Sequence, residues 1–91
     1  MTELRVTVCT CGHAVFPPRV LCPRCGSRDW HDEPGGPGTA EQLTTHRDGG
    51  HIASVVLDRG PVVVARADGI AVGARVRLED DYGRMIAFPI S

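Results

Sequence analysis

Lysine is missing from this chain, and arginine carries the whole cationic load: ten Arg stand against eleven Asp plus Glu, for a formal net charge of -1 over 91 residues. The arginines are scattered, so the bias reads as genome composition rather than function. With no overall excess of positive charge, there is little to attract a phosphate backbone or an anionic membrane surface. Aromatic residues are also scarce, with only Phe16, Trp30, Tyr82 and Phe88. No apolar run approaches the roughly 20 residues a membrane-spanning helix needs. The segment Met1-Thr2-Glu3-Leu4-Arg5 lacks the charged-then-apolar order of a signal peptide. A cytoplasmic protein is expected. Serine occurs only at positions 27, 54 and 91, never in a nucleophile-elbow context. The acidic pair Asp80-Asp81 precedes Tyr82-Gly83 and reads as a solvated turn. These absences argue against a self-sufficient enzyme.

Helical periodicity is lacking too. Leu4, Val6 and Val8 alternate with Arg5 and Thr7, the two-residue period of a half-buried strand. Residues 9–26 contain Pro17, Pro18 and Pro23, which exclude a helix there. Residues 34–38, Pro-Gly-Gly-Pro-Gly, read as a linker between a first unit, 1–33, and a second, 39–91. In the second unit short strands alternate with turn signals: 40–47, 51–57, 62–66, 74–78 and 84–90. The turns between them carry Asp48-Gly49-Gly50, Asp58-Arg59-Gly60-Pro61, Ala67-Asp68-Gly69 and Asp80-Asp81-Tyr82-Gly83. Only Gly69–Gly73 leaves room for a helical turn. Five strands in about fifty residues describe a small closed or nearly closed barrel.

Four cysteines supply the chemistry. Cys22-Pro23-Arg24-Cys25-Gly26 places two thiolates on a tight turn, with a glycine letting the chain reverse so that backbone N–H groups point at sulfur. Cys9-Thr10-Cys11-Gly12 is the partner pair, with one intervening residue rather than two, so its turn is expected to be wider or more strained. Ten residues separate Cys11 from Cys22, enough for the hairpin of a zinc ribbon. The four thiolates Cys9, Cys11, Cys22 and Cys25 predict one structural Zn2+ in a closed tetrahedral site. Iron in the same four-sulfur geometry is the alternative metal. A disulfide reading conflicts with a reducing compartment, and a redox Cys-x-x-Cys wants a helix that is not available. His13 is an alternative ligand in place of Cys9; His31, His46 and His51 read as surface residues. Metal binding, on the order of 10 kcal/mol in small zinc modules, would offset what so short a chain lacks in core.

The run from Cys11-Gly12-His13-Ala14-Val15-Phe16-Pro17-Pro18-Arg19 through Cys22-Pro23-Arg24-Cys25-Gly26-Ser27 resembles the signature of the acyl-CoA-associated zinc-ribbon/OB-fold proteins. Trp30, Gly38-Thr39 and Gly73-Ala74-Arg75-Val76-Arg77-Leu78 follow in matching order. The resemblance implies a mainly β protein: an N-terminal rubredoxin-like zinc ribbon packed on a small C-terminal five-stranded OB-fold barrel. It also implies a non-catalytic accessory or scaffold subunit. Its partner would be a thiolase- or ketosynthase-type enzyme that transfers acyl groups and forms carbon–carbon bonds. Two departures stand out: the chain reaches its first ligand almost at once, where the family carries a helical extension, and the first knuckle is one residue short.

The stiff segment Phe16-Pro17-Pro18-Arg19 is the candidate partner-binding loop, preset in shape and cheap to order; its alternative is packing between ribbon and barrel. Trp30 is expected to pack at the ribbon–barrel junction. Competing readings are a single-stranded nucleic-acid-binding OB fold, which wants a basic groove with stacking aromatics, and a module that binds acyl-CoA or an acyl carrier protein.

Overall fold

The computed structural model describes residues 2–16 and 18–90. Among the described residues nine strands run in chain order: β1 Thr2–Glu3, β2 Arg5–Cys9, β3 Ala14–Val15, β4 Trp30–Pro34, β5 Pro37–Thr45, β6 His51–Leu57, β7 Val62–Arg66, β8 Arg75–Asp81 and β9 Arg84–Pro89. There is no helix among the described residues. Around Gly69–Gly73 the chain makes two successive turns instead, closed by Ile70 N–H to the Ala67 carbonyl and Ala74 N–H to the Ala71 carbonyl.

Strands β5 to β9 close into a barrel: β5 pairs with β6, β6 with β7, β7 with β9, β9 with β8, and β8 returns to β5. All contacts are antiparallel except β7–β9, which is parallel and rests on Arg66 opposite Ile86. A five-stranded barrel with one parallel closure of this kind is the OB architecture. Alternation sets the faces. In β7, Val63 and Ala65 point in while Val62 and Val64 lie exposed; in β8, Val76 and Leu78 point in while Arg75 and Arg77 face out. A bulge between Ala40 and Gln42 bends β5 around the barrel.

The ribbon is a three-stranded sheet in the order β3-β2-β4. Its strands do not stand apart from the barrel. Leu4, Val6, Val8 and Ala14 belong to the same buried cluster as Ala40, Val55, Leu57, Val63 and Val76. Leu4 lies between the two sheets: its N–H donates to the Leu78 carbonyl at 3.1 Å, and its carbonyl accepts from Gly35 N–H at 2.8 Å. Just before it, β1 pairs with the far end of β8, Glu3 opposite Glu79. Of the residues read as a linker, Pro34 ends β4, and Pro37 and Gly38 begin β5, leaving Gly35 and Gly36 between strands. Arg59, in the β6–β7 turn, ties the units together through Glu33 at 2.6 Å and the Pro34 carbonyl at 3.3 Å.

Candidate metal centre

Each cysteine pair sits on a knuckle built by backbone bonds. In the second, Cys22 N–H donates to the Ser27 carbonyl at 2.9 Å, and Gly26 N–H to the Cys22 carbonyl at 2.8 Å. In the first, Cys9 N–H donates to the His13 carbonyl at 2.9 Å, and Gly12 N–H to the Cys9 carbonyl at 2.8 Å. The two patterns are the same, with every bond spanning one residue fewer in the first. Gly12 and Gly26 take φ of +92° and +75°, values that suit glycine. The missing residue therefore gives a tighter turn rather than a wider one. Neither Thr10 nor Cys11 adopts a positive φ, so the strain expected from the short spacing is absent at those residues.

These knuckles gather the four sulfurs within 4.8 Å of one another. Cys9 Sγ lies 3.4 Å from Cys25 Sγ, and Cys11 Sγ 3.7 Å from Cys22 Sγ. Sulfurs at tetrahedral corners with Zn–S bonds of about 2.3 Å stand about 3.8 Å apart, so the cluster has the dimensions of one zinc tetrathiolate. Soft thiolates and a closed set of four suit that ion, and the cysteines can hold one Zn2+. Cys9 and Cys22 are buried, whereas Cys11 and Cys25 face outward. Among the described residues no histidine joins the cluster; His13 contributes its carbonyl to the first knuckle instead.

The metal-free electrostatics show what a cation relieves. The backbone N–H of Cys11 lowers the Cys9 thiol to about 6, against the opposing effect of burial. For Cys22, burial works upward, but the N–H groups of Cys25 and Arg24 outweigh it and bring the thiol down. Cys25 accepts the Ser27 N–H, which favours its thiolate, yet the neighbouring Cys9 sulfur and burial push it up to about 12. Four sulfurs this close cannot all ionise without a compensating positive charge.

The candidate partner loop leaves the metal site. Phe16 is half-buried against the shared core. Pro18 and Arg19 are exposed, and Pro17 lies outside the described residues. The exposed apolar side chains of this loop come just after: Val20 is 78% and Leu21 47% exposed. Sequence reasoning did not single them out, although two large aliphatic residues beside Arg19 in a proline-bounded loop were the available signal. Trp30 does not join the central core. It opposes Cys9 on β4, and its indole N–H donates to the Val20 carbonyl at 3.2 Å, bracing the loop. Behind Phe16, a cleft of about 280 Å³ separates the ribbon from the β6–β7 turn, lined by His13, Arg19, Arg59 and Pro61. A second cleft, about 480 Å³, lies on the barrel between Ile52, Val64, Arg66 and Ile86.

Comparison with known proteins places the geometry. Among curated proteins none matches the chain in sequence. The whole fold is similar to a chain of a solved structure described as the Ltp2-ChsH2(DUF35) aldolase: TM-score 0.72 and 26% identity, covering 93% of this chain and 81% of that one. In sequence, residues 3–31 match the ChsH2 rubredoxin-like zinc ribbon domain.

Proposed function

We propose that this chain is a non-catalytic accessory subunit, in which Cys9, Cys11, Cys22 and Cys25 hold one structural zinc. A ribbon (1–33) and an OB barrel (39–91) together form a docking platform for a thiolase- or ketosynthase-type, acyl-transferring enzyme in the cytoplasm. The observation that carries this reading is the likeness over 93% of the chain to a component of an aldolase structure. Physical chemistry supports it. A four-thiolate site leaves the metal no open position for substrate, so its contribution is to hold the ribbon in shape. Phe16, Pro17, Pro18 and Arg19 are the proposed contact segment. The nucleic-acid alternative lacks support on the barrel: the cleft there has no Phe, Tyr or Trp in its lining, and of its two arginines Arg66 is engaged by Asp48 and Asp68.

The test is affinity co-purification of the tagged, zinc-loaded protein from its native host, with mass spectrometry of the bound fraction. A stoichiometric enzyme of the thiolase or ketosynthase type is the expected result. Recovery of nucleic-acid machinery instead, or nothing above background, would remove the proposal.

A further inference from the structure

Charge is segregated along this nearly neutral chain. Four of the ten arginines, Arg5, Arg19, Arg24 and Arg28, fall within residues 4–28, and none of the eleven acids does. Elsewhere six arginines face eleven acids, and four of those six are tied up in ion pairs: Arg59 with Glu33, Arg66 with Asp48 and Asp68, Arg75 with Asp58, and Arg77 with Glu79. Arg19, Arg24 and Arg28 are exposed and have no ion-pair partner among the described residues. Arg24 sits inside the second knuckle, where a zinc tetrathiolate would carry a net negative charge that it offsets. Arg19 and Arg28 have no such task.

Those two arginines flank the exposed apolar pair. Arg19 precedes Val20, and the Cys22–Ser27 bond that closes the second knuckle leaves Leu21 and Arg28 as the residues on either side of the closure. Val20 is among the most exposed large apolar side chains described. The loop is held by the Trp30 indole on the Val20 carbonyl, by the knuckle, and by Pro18 and Pro23. An apolar centre with an arginine-bearing rim on a preset loop has the layout of a protein–protein interface, and its ordering cost was met on folding.

We infer that Val20 and Leu21, rimmed by Arg19 and Arg28, form a docking patch for an acidic surface of the partner protein. That the partner is an acyl-transferring enzyme rests on the function proposed above; the patch and the acidity of what it meets do not. Charge complementarity selects this occupant. A second copy offers this patch a barrel of seven acids against six arginines, close to neutral, and a ribbon-to-barrel contact would be heterologous, need not close and risks chains of molecules. A phosphate backbone would find two cations beside two aliphatic side chains and no stacking ring, since Trp30 is engaged behind the loop.

The experiment places a photo-crosslinking residue in the full-length, zinc-loaded chain in its native host, as Val20→benzoylphenylalanine, with Val62→benzoylphenylalanine and Val72→benzoylphenylalanine on the barrel as controls. The patch predicts a dominant protein adduct from position 20, mapped to a partner segment rich in Asp and Glu. Arg19→Glu with Arg28→Glu should lower the adduct yield by about tenfold, with zinc content unchanged at one per chain. Adducts formed only from positions 62 or 72 overturn the patch. So do adducts to nucleic acid or a second copy, adducts indifferent to the charge reversal, and the absence of any adduct. An acidic adduct on a protein unrelated to thiolases or ketosynthases keeps the patch and removes the proposed function. A co-purifying enzyme of that type that crosslinks only through the barrel does the reverse.

Discussion

At the scale of single residues, Gly38 is hemmed in by the backbone and core of the neighbouring strand. A Cβ placed there meets the Val56 carbonyl oxygen at 2.7 Å and Val55 Cγ1 at 2.8 Å, and neither neighbour is a flexible tip. Gly38→Ala must push β5 away from β6 at the point where β5 also pairs with β8. Overpacking of this kind costs about 1–3 kcal/mol, and thermal denaturation of the zinc-loaded variant should show that loss. Asp48 makes a different prediction. Its carboxylate accepts the Gly50 N–H at 2.9 Å and pairs with Arg66 at 3.0 Å, and these hold it down at about 2. A carboxylate depressed in the folded state adds stability above its ordinary unfolded value, and that stability is lost as pH falls towards the folded one. Between pH 5 and 2, Asp48→Asn should flatten the fall in thermal midpoint relative to wild type. The comparison between the two chains cancels the zinc released by acid from both, and superimposable pH profiles would contradict the assignment.

At the scale of elements, the knuckles show why the shorter cysteine spacing is compatible with a metal site. Both are closed by the same pair of backbone bonds, so the chain has drawn one turn tighter without giving up its N–H donors. Inserting one glycine between Thr10 and Cys11 should convert the first knuckle to the span of the second. One zinc per chain is expected to survive that insertion, whereas Cys9→Ser should lose the ion to a chelator far more readily; metal analysis after dialysis distinguishes the two. Loss of zinc from the insertion variant would mean that the short turn is required.

The sequence made the strands readable where burial alternates, as at Val62–Arg66 and His51–Leu57, whose bounds agree with the expected ones. It misled at Pro37-Gly38, where turn-forming residues open β5: a strand that passes this close to its neighbour needs the missing side chain, and its first residue can be proline. Asp80 and Asp81, read as turn, still pair with Met85 and Arg84 as the end of β8. The clustering of the four cysteines was in plain view because their spacing is local. For Val20 and Leu21 the sequence offered only two aliphatic residues in a proline-bounded loop; their exposure depends on what the rest of the chain covers.

At the scale of the whole molecule, the question is whether ribbon and barrel are two folding units or one. Pattern and composition separate them, but the buried cluster runs through both, and Leu4 is the residue where they join. It is 2% exposed, bonded through its N–H to Leu78 in the barrel and through its carbonyl to Gly35 at the ribbon's end. Removing the metal should then do more than loosen the ribbon, because Val6, Val8 and Ala14 would withdraw their packing from Ala40, Val55 and Leu57 as well. Two probes report the halves separately: the single tryptophan, Trp30, lies in the ribbon, and far-ultraviolet dichroism is dominated by barrel strands. In the zinc-loaded wild type the two thermal transitions should coincide, and a chelator should lower both together. Leu4→Ala should cost about 2–5 kcal/mol by deleting buried volume and should separate the transitions, with tryptophan fluorescence moving first. Coincident curves in Leu4→Ala would place the coupling elsewhere along the shared core, and separated curves in the zinc-loaded wild type would mean that ribbon and barrel unfold independently.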